Sequence, residues 1–563
     1  MKKTLLKACV LGLMVTGWIS TGSLFAQSDP SGKKRVTSTY AIINATVITA
    51  PGKAGTKATV LIKDGVIAGV GSNLSLPMEA QVVPGDSLFI YPGFIAGASE
   101  AGITRPDDPE RPKDFNPTDP ADVFAGVTPW RSALDQYSAE SSQVEDFRKA
   151  GFTIAQILPD GGMLAGKAAI VLLGSEYSTN VLKTNSALAA NFSGARGVYP
   201  GTAVGVMAKF RDVYQNTKLT KQRADQFQTV SGSTRPEQTS TYSAMMDVIN
   251  SEVPVMFEAS NDLEVRRAIS LQKELGFKLI LTGLDDYSAV IDVLKEANVP
   301  VLISLEVPDD KAIKAQKEDA KESVKEEYAR VKEAYEGALK QASLLEEAGI
   351  AFGFSVVNTK AGDVKKTLAS LIENGLSEEA ALAALTTNPA SILGINRIAG
   401  SIEKGKLANL VITTDSLFSE DSQVKHVVVD GYVYDYETKA KKKKNSSDGD
   451  KVEVAGNWDY TSESPAGKSG GVLEISQDGS DFTGSITYDD PSGNGTAKSD
   501  IKNVTVDGSN LSFDFDVAAG GMSLTVTVSG EVDGSSFEGN MNVGQFGTFP
   551  FSATLNPTLI ANK

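Results

Sequence analysis

The sequence contains almost no thiol or imidazole side chains. Its 563 residues include one cysteine, Cys9, and one histidine, His426. Cys9 lies in an N-terminal segment that we expect to be removed, so the mature protein forms no disulfide and presents no thiolate. A single histidine excludes a metal centre built from several imidazole ligands. It also leaves nucleophilic catalysis without an evident base, apart from a Ser-Lys pair that no motif marks.

Long hydrophobic runs are missing beyond the first 26 residues. The segment MKKTLLKACVLGLMVTGWISTGSLFA begins with lysines, continues with an apolar stretch and ends at the small residue Ala26. This order is typical of a secretory signal peptide. We therefore expect a mature chain from Gln27, secreted or periplasmic, with no membrane insertion.

Positive charge is also in short supply. The chain has 54 Lys and Arg against 70 Asp and Glu, a formal net charge of -16. An acidic chain repels nucleic-acid phosphates and anionic lipid, so neither is expected as a partner. The acidity mainly indicates a soluble protein.

Strand-like and helix-like segments alternate through the middle of the chain. Short apolar runs such as FTIAQILP, VPVMFEA, FKLILTG, VPVLISL and IAFGFSVV read as buried strands, with amphipathic segments between them. This alternation predicts an α/β fold, a (β/α)8 TIM-type barrel over residues 91–394. The charged, Ala-rich segment 309–348 predicts a long solvated helix.

Two other regions have a different pattern. Residues 38–90 and 395–437 read as hairpins that form one small composite β domain, and Asp64-Gly65 suits a tight turn between two strands. A charged linker, 438–451, precedes a Gly- and Ser-rich region, 452–563, with period-two alternation. That pattern predicts an all-β accessory domain, an antiparallel barrel or sandwich, whose Asp-rich turns lack the ligand spacing of a calcium loop.

Ordered motifs within residues 38–437 resemble the amidohydrolase superfamily of metal-dependent hydrolases, in the branch of imidazolonepropionase and dihydroorotase. DGVIAGVG and YPGFIAG are similar to the family's N-terminal hairpin and its entry into the barrel. GLSEEAALAALTTNPASILGINRIAGSIEKGKLANLVI is similar to the exit from the barrel, except that Asn409 stands where an Asp is usual. The resemblance implies hydrolysis of non-peptide C-N bonds by a metal-activated water.

The positions that the resemblance assigns to the metal centre hold other residues in this chain. The HxH pair falls on Ala98 and Glu100, the third ligand on Glu258, and the fourth on Thr282 or its neighbour Gly283. Val356 stands at the position of the proton-transferring Asp. These departures from the family's pattern indicate a pseudoenzyme that is catalytically silent or non-standard and lacks the family's metal cofactor.

Two carboxylates keep a functional alternative open. Glu100 and Glu258 could hold a hard cation, Mg²⁺, Mn²⁺ or Ca²⁺, with help from Asp285 or Asp286. They could also act without metal as a general acid and base. The simplest alternative is that both are solvated side chains of a disused site.

The remaining hypotheses concern partners and a glycine-rich loop. Gly161 and Gly162, followed by Lys167, could receive an anion, although a close-packed turn explains the same sequence. A silent homologue could bind a small ligand, form a homo-oligomer, or serve as the structural subunit of a hetero-complex with an active amidohydrolase.

Overall fold

The computed structural model describes residues 33–35, 39–107, 109–174, 180–194, 196–283, 287–307 and 322–438, then 454–556 with gaps at 465–466, 479–480, 491–494, 508, 520–521 and 544–546. The predicted signal peptide and nearly all of the charged linker lie outside these residues. The chain divides at residues 439 and 440 into two compact units, which are described separately. No helix among the described residues is long and apolar enough to cross a membrane.

The first unit contains a nine-stranded sheet and a closed barrel. The strands of the sheet are β1 (Lys33–Arg35), β2 (Thr39–Val47), β3 (Thr56–Lys63), β4 (Val66–Gly71), β5 (Gln81–Pro84), β6 (Phe89–Pro92), β15 (Leu410–Thr413), β16 (Val424–Val429) and β17 (Tyr432–Asp435). The strands of the barrel are β7 (Phe94–Ser99), β8 (Phe152–Ile157), β9 (Leu164–Leu172), β10 (Val181–Asn191), β11 (Val255–Glu258), β12 (Leu279–Thr282), β13 (Val301–Ser304) and β14 (Phe352–Ser355).

The helices of this unit lie between or after the barrel strands. They are α1 (Ser142–Lys149), α2 (Ala203–Thr229), α3 (Ser240–Ile249), α4 (Asp262–Leu275), α5 (Ile291–Ala297), α6 (Glu322–Glu347), α7 (Val364–Glu373), α8 (Glu378–Leu385) and α9 (Thr387–Ile392). Local signals fix their ends: in α4, for example, Asn261 Oδ1 accepts the backbone N–H of Glu264, and Gly276 ends the helix with φ of 85°.

Strands from both flanks of the barrel form the nine-stranded sheet. Its order is β1-β17-β16-β15-β6-β2-β3-β4, with β5 beside β2, so β15 to β17 return to strands that precede the barrel. Asp64 and Gly65 join β3 to β4 with φ of 52° and 77°, and Asp430 and Gly431 join β16 to β17 with 49° and 79°. Two successive positive φ values make the compact turn that the Asp-Gly sequences predict.

The barrel closes in the order β10-β11-β12-β13-β14-β7-β8-β9. The predicted strand segments all form barrel strands, but eight parallel βα units were expected and β9 runs antiparallel to both β8 and β10. Only residues 158–163 join β8 to β9, and 173–180 join β9 to β10. A parallel crossover needs about a dozen residues or more, so these short connections force antiparallel pairing.

The predicted long helix is present as α6, with residues 308–321 outside the described part of the chain. Its first half is largely exposed, whereas Ala338, Leu339, Ala342 and Leu345 in its second half are buried. The helix is therefore solvated at one end and packs into the core at the other.

The second unit is a closed antiparallel barrel, which decides between the two predicted β folds. Its strands pair in sequence order: β18 (Gly456–Ser464), β19 (Gly467–Asp478), β20 (Asp481–Asp489), β21 (Thr496–Asp507), β22 (Asn510–Ala519), β23 (Met522–Asp533), β24 (Ser536–Asn542) and β25 (Thr548–Leu555). β25 pairs with β18 to close it. Aromatic side chains fill its interior, among them Trp458, Phe513, Phe537 and Phe551.

Candidate functional site

The carboxyl ends of the parallel barrel strands meet at one end of the barrel, which we call the mouth. β7, β11, β12, β13 and β14 end there at Ser99, Glu258, Thr282, Ser304 and Ser355. In barrels of this type the site lies at this end because the strand ends bring residues from distant parts of the sequence together. The mouth is therefore where the predicted site residues belong.

Three of these strand ends carry a serine in the same structural role. The hydroxyl oxygens of Ser99, Ser304 and Ser355 each accept the backbone N–H two residues later, at 3.1, 2.9 and 3.3 Å. All three serines are buried. These hydroxyls satisfy the backbone as the chain leaves each strand. We did not predict this role; the serine at the end of each predicted strand was the signal.

Two of the predicted metal positions are part of the apolar core. Ala98 is 0% exposed and packs with Met256, Ile280 and Leu302 in the barrel interior. Val356 is 3% exposed, and its N–H donates to the carbonyl oxygen of Ala98 at 2.8 Å. Neither side chain has an atom that can coordinate a metal ion or a group that can transfer a proton.

Thr282 is also buried, at 4% exposure, and lies opposite Glu258 in the pairing of β11 with β12. The next residue, Gly283, has φ of 88°, and a Cβ atom there would lie 2.7 Å from Cγ of Glu258. A residue with a side chain at position 283 would displace Glu258. Neither candidate for the fourth ligand position therefore offers an imidazole or carboxylate.

Glu100 and Glu258 do come together, as the resemblance implies. Both line a cavity of about 70 Å³ at the mouth, together with Asp160, Gly161 and Thr282 among others. Asp160 supplies a third carboxylate to this cavity. Its backbone N–H donates to Oε1 of Gln136 at 3.0 Å, which holds this part of the chain in place. Asp160 was not among the predicted site residues, because nothing in PDGG distinguishes it from an ordinary turn Asp.

The surroundings of the two glutamates favour their neutral forms. Burial raises the pKa of the Glu100 carboxyl, and the negative charges of Asp160 and Glu258 raise it further. Burial also raises the pKa of Glu258, with added effects of Glu264 and Asp160. Both side chains remain solvent-accessible, so their hydration is reduced by the concave walls rather than abolished.

A larger cavity of about 480 Å³ adjoins Glu100. Its polar lining includes Gln143, Asp146, Thr359 and Lys360. Its volume lies in the range of about 300–1,000 Å³ that is typical of pockets for small molecules. The mouth therefore offers room for a ligand beside Glu100 rather than between the two glutamates.

The residues at the mouth do not fit the family's metal centre. Among the described residues, no group of three or more His, Cys, Asp and Glu side chains is placed to hold a metal ion. Asp285 and Asp286, the predicted helpers of Glu258, lie outside the described residues. His426 belongs to the nine-stranded sheet, where its Nδ1 lies 2.7 Å from the carboxylate of Asp435.

The glycine-rich loop and Lys167 are engaged in other contacts. Gly162 packs so closely on Gly126 that a Cβ atom would lie 2.3 Å from the Cα of Gly126. Lys167 lies on β9, and its Nζ is 3.8 Å from the carboxylate of Asp247. These contacts favour the close-packed turn, and the anion loop stays a prediction.

Comparison with known proteins adds to this geometry. The model of the amidohydrolase family matches residues 187–434. This match confirms the predicted resemblance to the amidohydrolase superfamily over that part of the chain. An amidohydrolase from Thermotoga maritima MSB8 aligns with a TM-score of 0.56 and 23% identity, over 70% of this chain and 98% of that one, and so shows the fold.

Phenylurea hydrolase B aligns over 70% of this chain and 96% of its own, at 16% identity. Its TM-score of 0.40 is too low to support an argument. No curated protein matches the chain.

Proposed function

We propose that this protein is an exported, catalytically silent member of the amidohydrolase superfamily that binds a small polar ligand at the barrel mouth. The observation that carries the proposal is the burial of Ala98 and Val356 in the apolar core. Metal-activated hydrolysis by the family's mechanism needs a metal ligand at the position of Ala98 and a proton-transferring group at the position of Val356. Alanine and valine supply neither.

The size of the cavities supports binding rather than hydrolysis between the glutamates. The cavity that Glu100 shares with Glu258 measures about 70 Å³, enough for a few waters but not for an amide substrate. The neighbouring cavity of about 480 Å³ has space for a small molecule and presents amide, hydroxyl, ammonium and carboxylate groups. We therefore place the ligand in that cavity.

The raised pKa values of Glu100 and Glu258 favour one alternative, a metal-free acid-base site. A carboxyl with a raised pKa holds its proton to higher pH and can donate it, and an ionised partner can accept one. The alternative needs a reacting group within hydrogen-bond reach of both carboxyls. A wild-type activity that disappears in a Glu100→Gln, Glu258→Gln variant would support it.

Export is part of the proposal and is supported by the sequence of residues 1–26. Cleavage after Ala26 would leave Gln27 as the first residue of the mature chain. Expression of the full chain in a Gram-negative host, fractionation and N-terminal sequencing would test this. Recovery of an uncleaved chain in the cytoplasm would contradict it.

Hydrolysis assays test the proposed silence. The purified protein is incubated with linear amides and cyclic amides, each with and without added Zn²⁺, Mn²⁺ or Mg²⁺. We expect product formation no faster than in a Glu100→Gln, Glu258→Gln variant. A Glu252→Gln variant serves as the matched control, because Glu252 is exposed and lines neither mouth cavity.

If wild type and the Glu252→Gln control hydrolyse a substrate and the double variant does not, the protein is not catalytically silent. Glu100 and Glu258 would then form a working catalytic site. Dependence of that turnover on added metal would distinguish a cation centre from metal-free acid-base chemistry.

A further inference from the structure

A third cavity opens at the opposite end of the barrel, and we call it the basal cavity. It has a volume of about 410 Å³. Its lining includes Pro254, Lys278 and Pro300, which immediately precede β11, β12 and β13 at their amino ends. The mouth lies at the carboxyl ends of the same strands. The proposed function does not involve this cavity.

An apolar layer of the barrel interior separates the two ends. Met256 lines the small cavity at the mouth, and Ile280 lines the basal cavity. Both pack in one cluster with Ala98 and Leu302. A ligand in the basal cavity would therefore contact a different set of side chains from one at the mouth.

The basal cavity contains a polar group that lacks a partner. Gln156 on β8 is 1% exposed, and its Nε2 donates to Oγ of Ser186 at 2.7 Å. Its Oε1 has no hydrogen-bond partner among the described residues. An unpaired buried carbonyl destabilises the folded protein, so a ligand N–H or O–H that reaches it gains a favourable hydrogen bond.

The charge of the basal cavity is opposite to that of the chain. Lys183 and Lys278 line it, and its described lining contains no Asp or Glu. Neither lysine forms an ion pair with another described residue. In a protein with a net charge of -16, these two lysines make the cavity locally positive, which favours an anionic ligand group.

The rest of the wall combines apolar side chains, such as Leu279, Ile280 and Val299, with the polar side chains of Ser186, Gln272 and Asn298. A volume near 400 Å³ lies within the range of small-molecule pockets. We propose that the basal cavity binds a small organic carboxylate that also carries a hydroxyl or N–H donor. The carboxylate meets Lys183 and Lys278, and the donor meets Oε1 of Gln156.

The lysines have one competing structural role. α4 and α5 end at this face, and the carbonyl groups at helix C-termini carry partial negative charge. Lysines that only offset this charge would stabilise the fold without binding a ligand. A test must therefore measure binding and unfolding in the same variants.

The test is calorimetric titration of the purified full chain with 4-hydroxybenzoate and 3-hydroxybutanoate. Benzoate lacks the donor and 4-methylphenol lacks the charge, so both serve as ligand controls. The protein variants are Lys183→Gln with Lys278→Gln, and Gln156→Met, which keeps the side-chain volume. Lys149→Gln with Lys295→Gln is the matched control, since it removes the same charge from exposed sites outside the cavity.

We expect one-site binding of at least one hydroxylated probe. The Lys183, Lys278 variant should bind it at least about tenfold more weakly, and the control variant should match wild type. The Gln156→Met variant should lose affinity for 4-hydroxybenzoate and not for benzoate. Thermal unfolding without ligand confirms that each variant is folded.

Two results would overturn the proposal. If neither hydroxylated probe gives saturable binding, the cavity is not a site for this class of ligand. If the Lys183, Lys278 variant binds the probe as well as the control variant does, the lysines do not bind the ligand. A lower unfolding temperature with unchanged binding would show that they only offset the partial negative charge of the helix C-termini. Equal losses for benzoate and 4-hydroxybenzoate in Gln156→Met would overturn the role of Gln156.

Discussion

The carboxylates of Glu100 and Glu258 open onto one cavity at the barrel mouth, and the charge of Glu258 contributes to the raised pKa of Glu100. In both side chains burial is the larger cause. A carboxyl whose pKa is higher in the folded than in the unfolded state binds protons more readily when folded. The folded state therefore gains stability from these groups as pH falls, and loses it as pH rises through their folded pKa values.

Replacing Glu100 and Glu258 with Gln should therefore stabilise the protein at neutral pH. We expect a gain of a few tenths of a kcal/mol, because solvent in the mouth screens both charges. The gain should vanish below the unfolded pKa, about 4.5. Denaturant unfolding of wild type and variant at pH 7 and pH 4 measures the difference. A double variant that is less stable at pH 7 would show that the carboxylates are held by a favourable partner.

Of the two positions that correspond to the family's HxH pair, one should tolerate a histidine and the other should not. Ala98 is fully buried against Met256, Ile280 and Leu302, so Ala98→His overpacks the core and should cost about 1–3 kcal/mol or more. Glu100→His, on the accessible cavity wall, should change stability by less than about 1 kcal/mol. Thermal unfolding compares the two. Equal stability would mean that the interior has room at Ala98.

The strand-end serines should contribute measurably to stability. Ser355→Ala removes the acceptor for the N–H of Val357, and Ser304→Ala does the same for Glu306. Each should cost about 1 kcal/mol, the usual contribution of such a bond. Ser270→Ala, at an exposed position of α4, should stay within about 0.5 kcal/mol of wild type. If all three variants behave alike, the hydroxyls do not support the mouth.

Trp458 should be essential to the C-terminal barrel. It is fully buried with Phe513 and Phe537, and its indole N–H donates to the carbonyl of Val454 at 3.0 Å. Trp458→Ala should cost about 3–5 kcal/mol. Because the chain forms two compact units, we expect calorimetry to show one shifted transition and one at its wild-type temperature. A parallel shift of all transitions would show that the units unfold together.

Much of the fold was predictable because its signals are local. Alternating apolar runs predicted the strands, and Asp64-Gly65 predicted its turn, because both depend on a few neighbouring residues. The antiparallel β9 was not predicted, since its direction follows from the short connections before and after it. The choice between barrel and sandwich in the second unit was equally hidden, because closure depends on pairing β18 with β25 across about a hundred residues.

The sequence predicted only those residues of the candidate site whose place in the family's motifs puts them at the ends of barrel strands. The resemblance placed Glu100 and Glu258 at strand ends, and they share a cavity. Asp160 joins them through the irregular connection between β8 and β9, which no pattern in the sequence describes. Oε1 of Gln156 has no hydrogen-bond partner in the described part of the chain, and this depends on contacts between distant strands that the sequence does not reveal.

The metal content of the natively purified protein, prepared without chelator, tests the central claim most directly. It should be measured beside the Glu100→Gln, Glu258→Gln variant. Loss of the ligands at Ala98, Thr282 and Val356 predicts no stoichiometric divalent metal in either protein. Near-stoichiometric Mg²⁺, Mn²⁺ or Ca²⁺ in the wild type that disappears in the variant would contradict the account and restore a carboxylate-based catalytic centre.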